Sequence, residues 1–336
     1  MNSILSSVQI GLMMLMLNHI KISHIKVRFG GLFCYYINMN ALTYVKNKKQ
    51  SQDVYRKMKE IVHMHGDDYH KIHFLERCNL CNLNDDSYKC YIDINTINEI
   101  KTLISAENYR EIIDKYIIPT YKDSDSKKQQ YEYFISIDDK DSMKYLAIGV
   151  LCERAFICQR NCITCDLGFT KDIDIQWLYE FALNDKTLIN ESPTYYVNSL
   201  MYAWNIMGRP ADIDINAVIN KFINRNISQD SESIYKYMYG ITHFVIQLSG
   251  FYRLNVNNKL LLHIIEDFLD SHPIDDIIYL DIYCEAGLCY KLLTSQIHDR
   301  IGTLLIDKRH VEFFNNINIK NEHCCSLYIM IFNLQI

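Results

Sequence analysis

From about residue 142 onward, four apolar stretches of helix length recur: MKYLAIGVLCERAFICQRNC, YYVNSLMYAWNIMGRP, YKYMYGITHFVIQLSGF and YLDIYCEAGLCYKLLTS. Their spacing, roughly 40 to 52 residues, is near that of helical-hairpin repeats. More polar amphipathic segments, such as DINAVINKFINRN and NKLLLHIIEDFLDSH, lie between them. A hairpin made of one apolar and one half-exposed helix cannot bury its own apolar face, so such hairpins stack on one another. The pattern predicts an all-α domain of stacked helical hairpins, arranged as an α/α toroid or a short α-solenoid.

Turn residues are scarce, as a mostly helical chain allows. Only 4 Pro and 11 Gly occur in 336 residues, where average usage gives roughly three to four times as many Pro and about twice as many Gly. At 49% hydrophobic and 22% charged residues, the chain is composed like a folded domain rather than a disordered one. A formal net charge of -5 gives no electrostatic footprint for a polyanion, so nucleic acid is not an expected partner. Twelve cysteines in a chain of this size, with no convincing secretory signal, read as reduced thiols in a cytoplasm. The sequon at Asn226 is discounted with them. The abundance of Ile, Asn, Lys and Tyr follows AT-rich coding, so an isolated Tyr or Asn carries little weight.

Residues 1–38 differ from the rest. ILSSVQIGLMMLML has no basic residues before it and is shorter than the roughly 18 to 20 residues of a membrane span. It reads as a buried or poorly ordered extension, and membrane is not an expected partner. MNALTYVKNKKQ, opening at Met39, resembles a natural start, which leaves one helical domain over 39–336. Within it, helices are expected over 41–66, closed by Gly66, and over 98–118, stopped by Pro119. YKDSDSKKQQ from residue 121 reads as a loop, YEYFISI as a short strand, and SLYIMIFNLQI as a last helix or strand docked on the domain.

The stretch YYVNSLMYAWNIMGRPADIDINAVINKFINRN resembles the helical repeats of α/α-toroid proteins such as terpene cyclases and protein prenyltransferases. YGITHFVIQLSGFYR followed by LDIYCEAGLCYKLL is similar to an uncharacterised bacterial α/α-helical family associated with natural-product and peptide-tailoring gene clusters. The resemblance covers residues 140 to 300 and implies a toroid with a central cavity. It does not extend to the chemistry: the acidic motif of the cyclases, Gln-Trp repeats and the prenyltransferase zinc pattern are all missing.

Three constellations could carry chemistry. HMHGDDYHKIHFLERCNLC, residues 63 to 81, holds four histidines and two cysteines. Cys78, Cys81, Cys90 and His73 form a donor set suited to tetrahedral zinc, the one cofactor the sequence suggests. The alternative is a histidine-bearing helix end beside cysteines buried as small hydrophobes. Cys158, Cys162 and Cys165 have the C-x3-C-x2-C spacing of radical iron–sulfur enzymes. Their context fits a plain helix end better, because no Gly-rich cofactor stretch follows.

The third constellation lies on the apolar helices. In a toroid, polar groups of inner helices face the central cavity, the default binding site. His243 could serve there as a general base, with Asp281 and Glu285, four residues apart on one helix face, as carboxylate partners. Trp204, Asn205, Thr242 and Cys284 would complete the lining. The bland alternatives are a core histidine, a helix-capping acid pair matched to Lys291 or Arg300, and aromatic core packing. His323, Cys324 and Cys325 are read as packing. The expected function is an accessory or tailoring protein that binds a small molecule or peptide in that cavity. The alternatives are a scaffold for a protein partner, and a metal-dependent or acid–base enzyme.

Overall fold

The computed structural model describes residues 31–336 except 84, 122–127, 229, 273–278, 305–307 and 336. The described residues form sixteen α-helices and no strand, so the protein is all-α. Residues 1–42 cluster as one unit and 43–336 as another. In the first unit only 31–42 are described, as the opening turns of helix α1 (Gly31–His65), so the reading of 1–38 lies mostly outside the described residues.

The second unit starts from the remainder of α1 and α2 (Asp68–Asn79), followed by α3 (Asn95–Ser105) and α4 (Tyr109–Ile112). Next come α5 (Lys128–Ser136), α6 (Lys140–Arg160), α7 (Ile175–Asn184), α8 (Leu188–Glu191) and α9 (Pro193–Ile206). The chain continues through α10 (Ile215–Ile223), α11 (Ser231–Leu248), α12 (Lys259–Ser271) and α13 (Leu280–Thr294). It closes with α14 (Asp299–Leu304), α15 (Lys308–Asn315) and α16 (Glu322–Asn333).

Local chemistry fixes the boundaries. Asp67, Asp139, Asp174, Asp214 and Asp230 each accept a backbone N–H at the start of α2, α6, α7, α10 and α11, and Asn258 accepts two at α12. The turns after α6, α9, α11 and α13 each pass through left-handed backbone, at Cys162, Gly208, Gly250 and Ser295.

Two sequence expectations fail locally. The stretch expected to be one helix over 98–118 is split: Glu107 adopts φ 55°, and Asn108 N–H bonds back to the Leu103 carbonyl 2.8 Å away. This closes α3 before α4 and a π-helical turn (Ile113–Ile117) begin. YEYFISI is not a strand but most of α5, its Phe134 buried beside Tyr121 and Tyr195. Burial on one side satisfies a helix as well as a strand in so short a run. Of the expected loop at 121, residues 122–127 lie outside the description and 128–130 belong to α5.

Six helices provide the interior, and they pack in the order α6, α9, α11, α13, α16, α2. Backbones approach closely where glycine allows it. A Cβ on Gly149 of α6 would fall 2.1 Å from Ser199 Oγ of α9, and one on Gly240 of α11 would fall 2.0 Å from Phe222 Cζ of α10. At the end of the series, Glu76 of α2 meets Arg160 at the end of α6 in a buried ion pair, and Asn161 Nδ2 donates to the same carboxylate at 2.7 Å. The C-terminal tail docks as a helix. α16 is buried along its length, and Lys291 Nζ donates to the carbonyls of Ile331 and Leu334, both at 2.7 Å.

Candidate functional site

The six interior helices all carry polar side chains among their buried apolar ones, and four repeat them at a spacing of four residues. The pairs are Tyr69 and His73 on α2, Asn198 and Tyr202 on α9, Tyr239 and His243 on α11, and Asp281 and Glu285 on α13. α6 adds Glu153, and α16 adds Glu322 and His323. On a helix, i and i+4 share one face, so each pair points the same way.

Glu285 is the most enclosed of these groups, with its side chain 1% exposed. It accepts a hydrogen bond from the Thr242 hydroxyl. His323 Nε2 lies 3.2 Å from its Oε2, and His243 Nε2 lies 3.9 Å from its Oε1. Burial acts to raise the Glu285 carboxyl, but the His323 hydrogen bond, the facing His243 and the Thr242 hydroxyl outweigh it and hold the group well below the usual carboxylate range. His243 Nδ1 sits 3.0 Å from Asn198 Oδ1, which also accepts from Gln247 Nε2 at 3.2 Å. Burial lowers the His243 imidazole despite the nearby carboxylate, so it is neutral near pH 7.

A second histidine–carboxylate pair adjoins the first. His73 Nδ1 lies 2.7 and 2.9 Å from the two Glu322 oxygens, and its ring centre is 5.2 Å from that of His323. Burial, then the charge of Arg77, pushes His73 down to about 4. Arg77 itself is buried against the rings of Phe251 and Tyr252, at 5.3 and 5.6 Å, and its Nε has no hydrogen-bond partner.

Tyr69, 54% exposed, neighbours this cluster: desolvation pushes its phenol up to about 12, with Arg77, Glu322, Glu153 and Arg154 within electrostatic reach. Tyr121, Tyr195 and Tyr202 share its electrostatic surroundings, and each is raised first by burial.

Of the residues singled out from sequence, the structure joins His243, Thr242 and Glu285 directly. Asp281 is one turn away, accepting from the Tyr239 hydroxyl. Cys284 is buried on α13 and shares a hydrogen bond with Cys324. Asn205 donates to the Gln247 carbonyl at 3.2 Å, while Trp204 Nε1 is buried with no partner and its ring is covered by Arg209 at 4.9 Å. The capping partners suggested for the acid pair are engaged elsewhere: Lys291 holds the end of α16, and Arg300 donates to the Leu269 and Asp270 carbonyls.

The suggested zinc ligands are dispersed in their bonding. His73 faces Glu322, Cys78 and Cys81 are buried, and Cys90 is exposed with its thiol on the Ser87 carbonyl at 3.0 Å. Among the described residues no group of three or more His, Cys, Asp or Glu is placed to hold a metal ion. Cys158 and Cys165 share a hydrogen bond at the end of α6, with Cys162 exposed between them. Tyr69, Tyr239, Glu153 and Glu322 escaped the sequence reading, and His323 was taken for packing. The signal that marks four of these helices is a polar pair four residues apart inside an apolar run.

No protein-family model matches the chain, and neither a curated protein nor a solved structure matches it. Among the described residues, no helix is long and apolar enough to cross a membrane.

Proposed function

We propose that the six interior helices close into an α/α toroid and that the recess at its centre binds a small molecule or peptide. The ring reading rests on the packing order from α6 round to α2 and on the Glu76–Arg160 pair that returns α2 to α6. The binding reading rests on one observation: five of the six helices bring polar side chains together, Glu285 with Thr242, His243 and His323, His243 with Asn198, and His73 with Glu322 beside His323, where apolar ones would be cheaper to bury.

A second reading, an acid–base enzyme, draws on the contact of His323 and His243 with one buried carboxylate. A neutral His243 beside an ionised Glu285 is a group able to take a proton near pH 7. The scaffold reading gains little, because the exposed large apolar side chains, such as Val45, Ile94, Ile135 and Leu254, are scattered singly over separate elements.

The test is a thermal-melting screen of the full chain against amines, carboxylic acids, nucleotides, sugars and short peptides. The expected result is at least one class that raises the melting midpoint, with the shift lost in His243→Gln and His323→Gln while the ligand-free variants still melt cooperatively. Absence of any shift, or a shift that survives in both variants, removes the reading.

A further inference from the structure

The seam between α9 and α11 carries a chain of polar side chains whose direction is fixed from one end. Arg209, just past α9, can only donate. Its Nε lies 3.1 Å from Asn205 Oδ1, and its Nη2 donates to the Leu248 carbonyl at 3.2 Å while the guanidinium covers the Trp204 ring. Asn205 therefore turns its amide nitrogen to α11, donating to the Gln247 carbonyl at 3.2 Å and to Gln247 Oε1 at 3.4 Å. Gln247 in turn presents Nε2 to Asn198 Oδ1 at 3.2 Å. Asn198 Oδ1 is thus an acceptor, and His243 Nδ1, 3.0 Å from it, must carry a hydrogen. Reversing an amide within this chain would set donor against donor or acceptor against acceptor.

A neutral imidazole with its hydrogen on Nδ1 has a bare Nε2, and burial keeps His243 neutral near pH 7. That Nε2 faces Glu285 Oε1 at 3.9 Å, so two acceptors stand opposite each other, too far apart for a hydrogen bond and with no hydrogen to share. Left to itself, the imidazole would put its hydrogen on Nε2, toward the ionised carboxylate, which is the stronger acceptor. The chain from Arg209 prevents this. A single nitrogen bearing two or more hydrogens satisfies both acceptors at once, whereas a ligand hydroxyl has only one hydrogen to give. The His243 side chain is 20% exposed, which leaves such a group a way in.

We infer that Arg209, Asn205, Gln247 and Asn198 are positioning residues that hold His243 as its Nδ1–H tautomer, and that His243 Nε2 with Glu285 Oε1 forms a subsite for an amino nitrogen of the ligand. The tautomer follows from the hydrogen bonds; the use of the subsite rests on the reading of the recess as a ligand site.

The experiment is proton–nitrogen correlation NMR of the full chain, carrying nitrogen-labelled histidine, at pH 7, with His243 assigned from its loss in His243→Gln. In the parent, Nδ1 gives the signal of a protonated ring nitrogen and Nε2 that of a bare one, the reverse of the tautomer that free histidine favours. Arg209→Met releases the chain and moves the hydrogen to Nε2, and Arg209→Lys, which keeps a cationic donor, restores the parent pattern. Should Arg209→Met not fold, Asn205→Leu interrupts the chain one step later with the same result. A parent with its hydrogen on Nε2, or a parent pattern retained in the interrupted chain, overturns the positioning role. Methylammonium, methanol and acetate are then titrated in. Methylammonium shifts the Nε2 signal and binds at least about tenfold more weakly to Arg209→Met, the worth of a hydrogen bond to a charged group, while methanol and acetate leave the signal in place. An equal shift from methanol or acetate, or none from methylammonium, overturns the subsite. Should the subsite fall while a compound found by melting still loses its effect in His323→Gln, the recess stands as a ligand site without an amino pocket. If the wider screen also finds nothing, the subsite and the recess reading fall together.

Discussion

Glu76 on α2 and Arg160 at the end of α6, 84 residues apart, form a bidentate ion pair with Nε–Oε1 at 2.5 Å and Nη2–Oε2 at 2.7 Å. Asn161 adds a third donor to the carboxylate and is itself held by the Tyr88 hydroxyl at 2.6 Å, so the pair is anchored from both helices. The Arg160 guanidinium also stacks 3.7 Å from the Phe251 ring centre. The repeats and the N-terminal helices are joined here by charge inside an otherwise apolar interface.

Breaking that pair from one side is costly, because a buried charge loses its partner. Glu76→Ala is expected to lower unfolding free energy by about 3–5 kcal/mol, whereas Glu76→Leu with Arg160→Met costs far less. Urea denaturation of the two variants decides it, and a single mutant within about 1 kcal/mol of the parent would show that the junction carries little.

Close approach at Gly240 makes a methyl group harmful. Gly240→Ala places a Cβ 2.0 Å from Phe222 Cζ, and the overpacking should cost about 1–3 kcal/mol. Phe222→Leu makes room at the same point. In a double-mutant cycle the two changes together should cost clearly less than their sum; strict additivity would mean that α10 shifts freely away from α11.

Acid should weaken the fold through His73. Its folded pKa, about 4, lies below the ordinary histidine value of 6.5, so between these two pH values the unfolded chain binds a proton that the folded chain does not. Stability is therefore intact above pH 6.5 and falls as pH drops toward about 4, by an amount on the order of 2–3 kcal/mol. Glu285, held low in the fold, loses its own contribution only at more acid pH. His73→Gln should flatten the pH 4–6.5 part of the stability profile, and an unchanged slope would assign it to other groups.

The end of α16 hangs on one cation. Lys291 is desolvated, its pKa drawn down to about 8, yet it serves two carbonyls of the last turn. Lys291→Met keeps the aliphatic stem and leaves both acceptors without it, a loss of about 1–3 kcal/mol. Hydrogen exchange should rise first over residues 329–334; protection equal to the parent there would show that apolar packing alone secures the helix.

Much of the secondary structure was legible because it is written locally. The apolar runs beginning at residues 143, 195, 235 and 279 became α6, α9, α11 and α13, and the amphipathic segments DINAVINKFINRN and NKLLLHIIEDFLDSH between them became α10 and α12. Two readings failed where local signals were ambiguous. YEYFISI has too few residues to separate a half-buried helix from a strand, and the break at Glu107 depends on a left-handed residue that carries no glycine to announce it.

The site was legible only in fragments. His243, Asp281 and Glu285 drew attention because polar groups are conspicuous in apolar helices. Glu322 and His323, in contrast, sit beside two cysteines and read as an ordinary helix start, and the tyrosines were hidden by a composition holding 25 of them. His73 looked like a zinc ligand among its sequence neighbours, and its actual partner is Glu322, 249 residues away.

By itself, the sequence determined that this chain is helical and where its long apolar helices and the amphipathic ones between them lie, since hydrophobic period acts over a few residues. Tertiary structure alone decided which polar residues meet. Glu285 with His323, His73 with Glu322 and Glu76 with Arg160 are brought together by the packing order of six helices, and that order is fixed by side-chain fit between segments tens to hundreds of residues apart, of which no local pattern keeps a record.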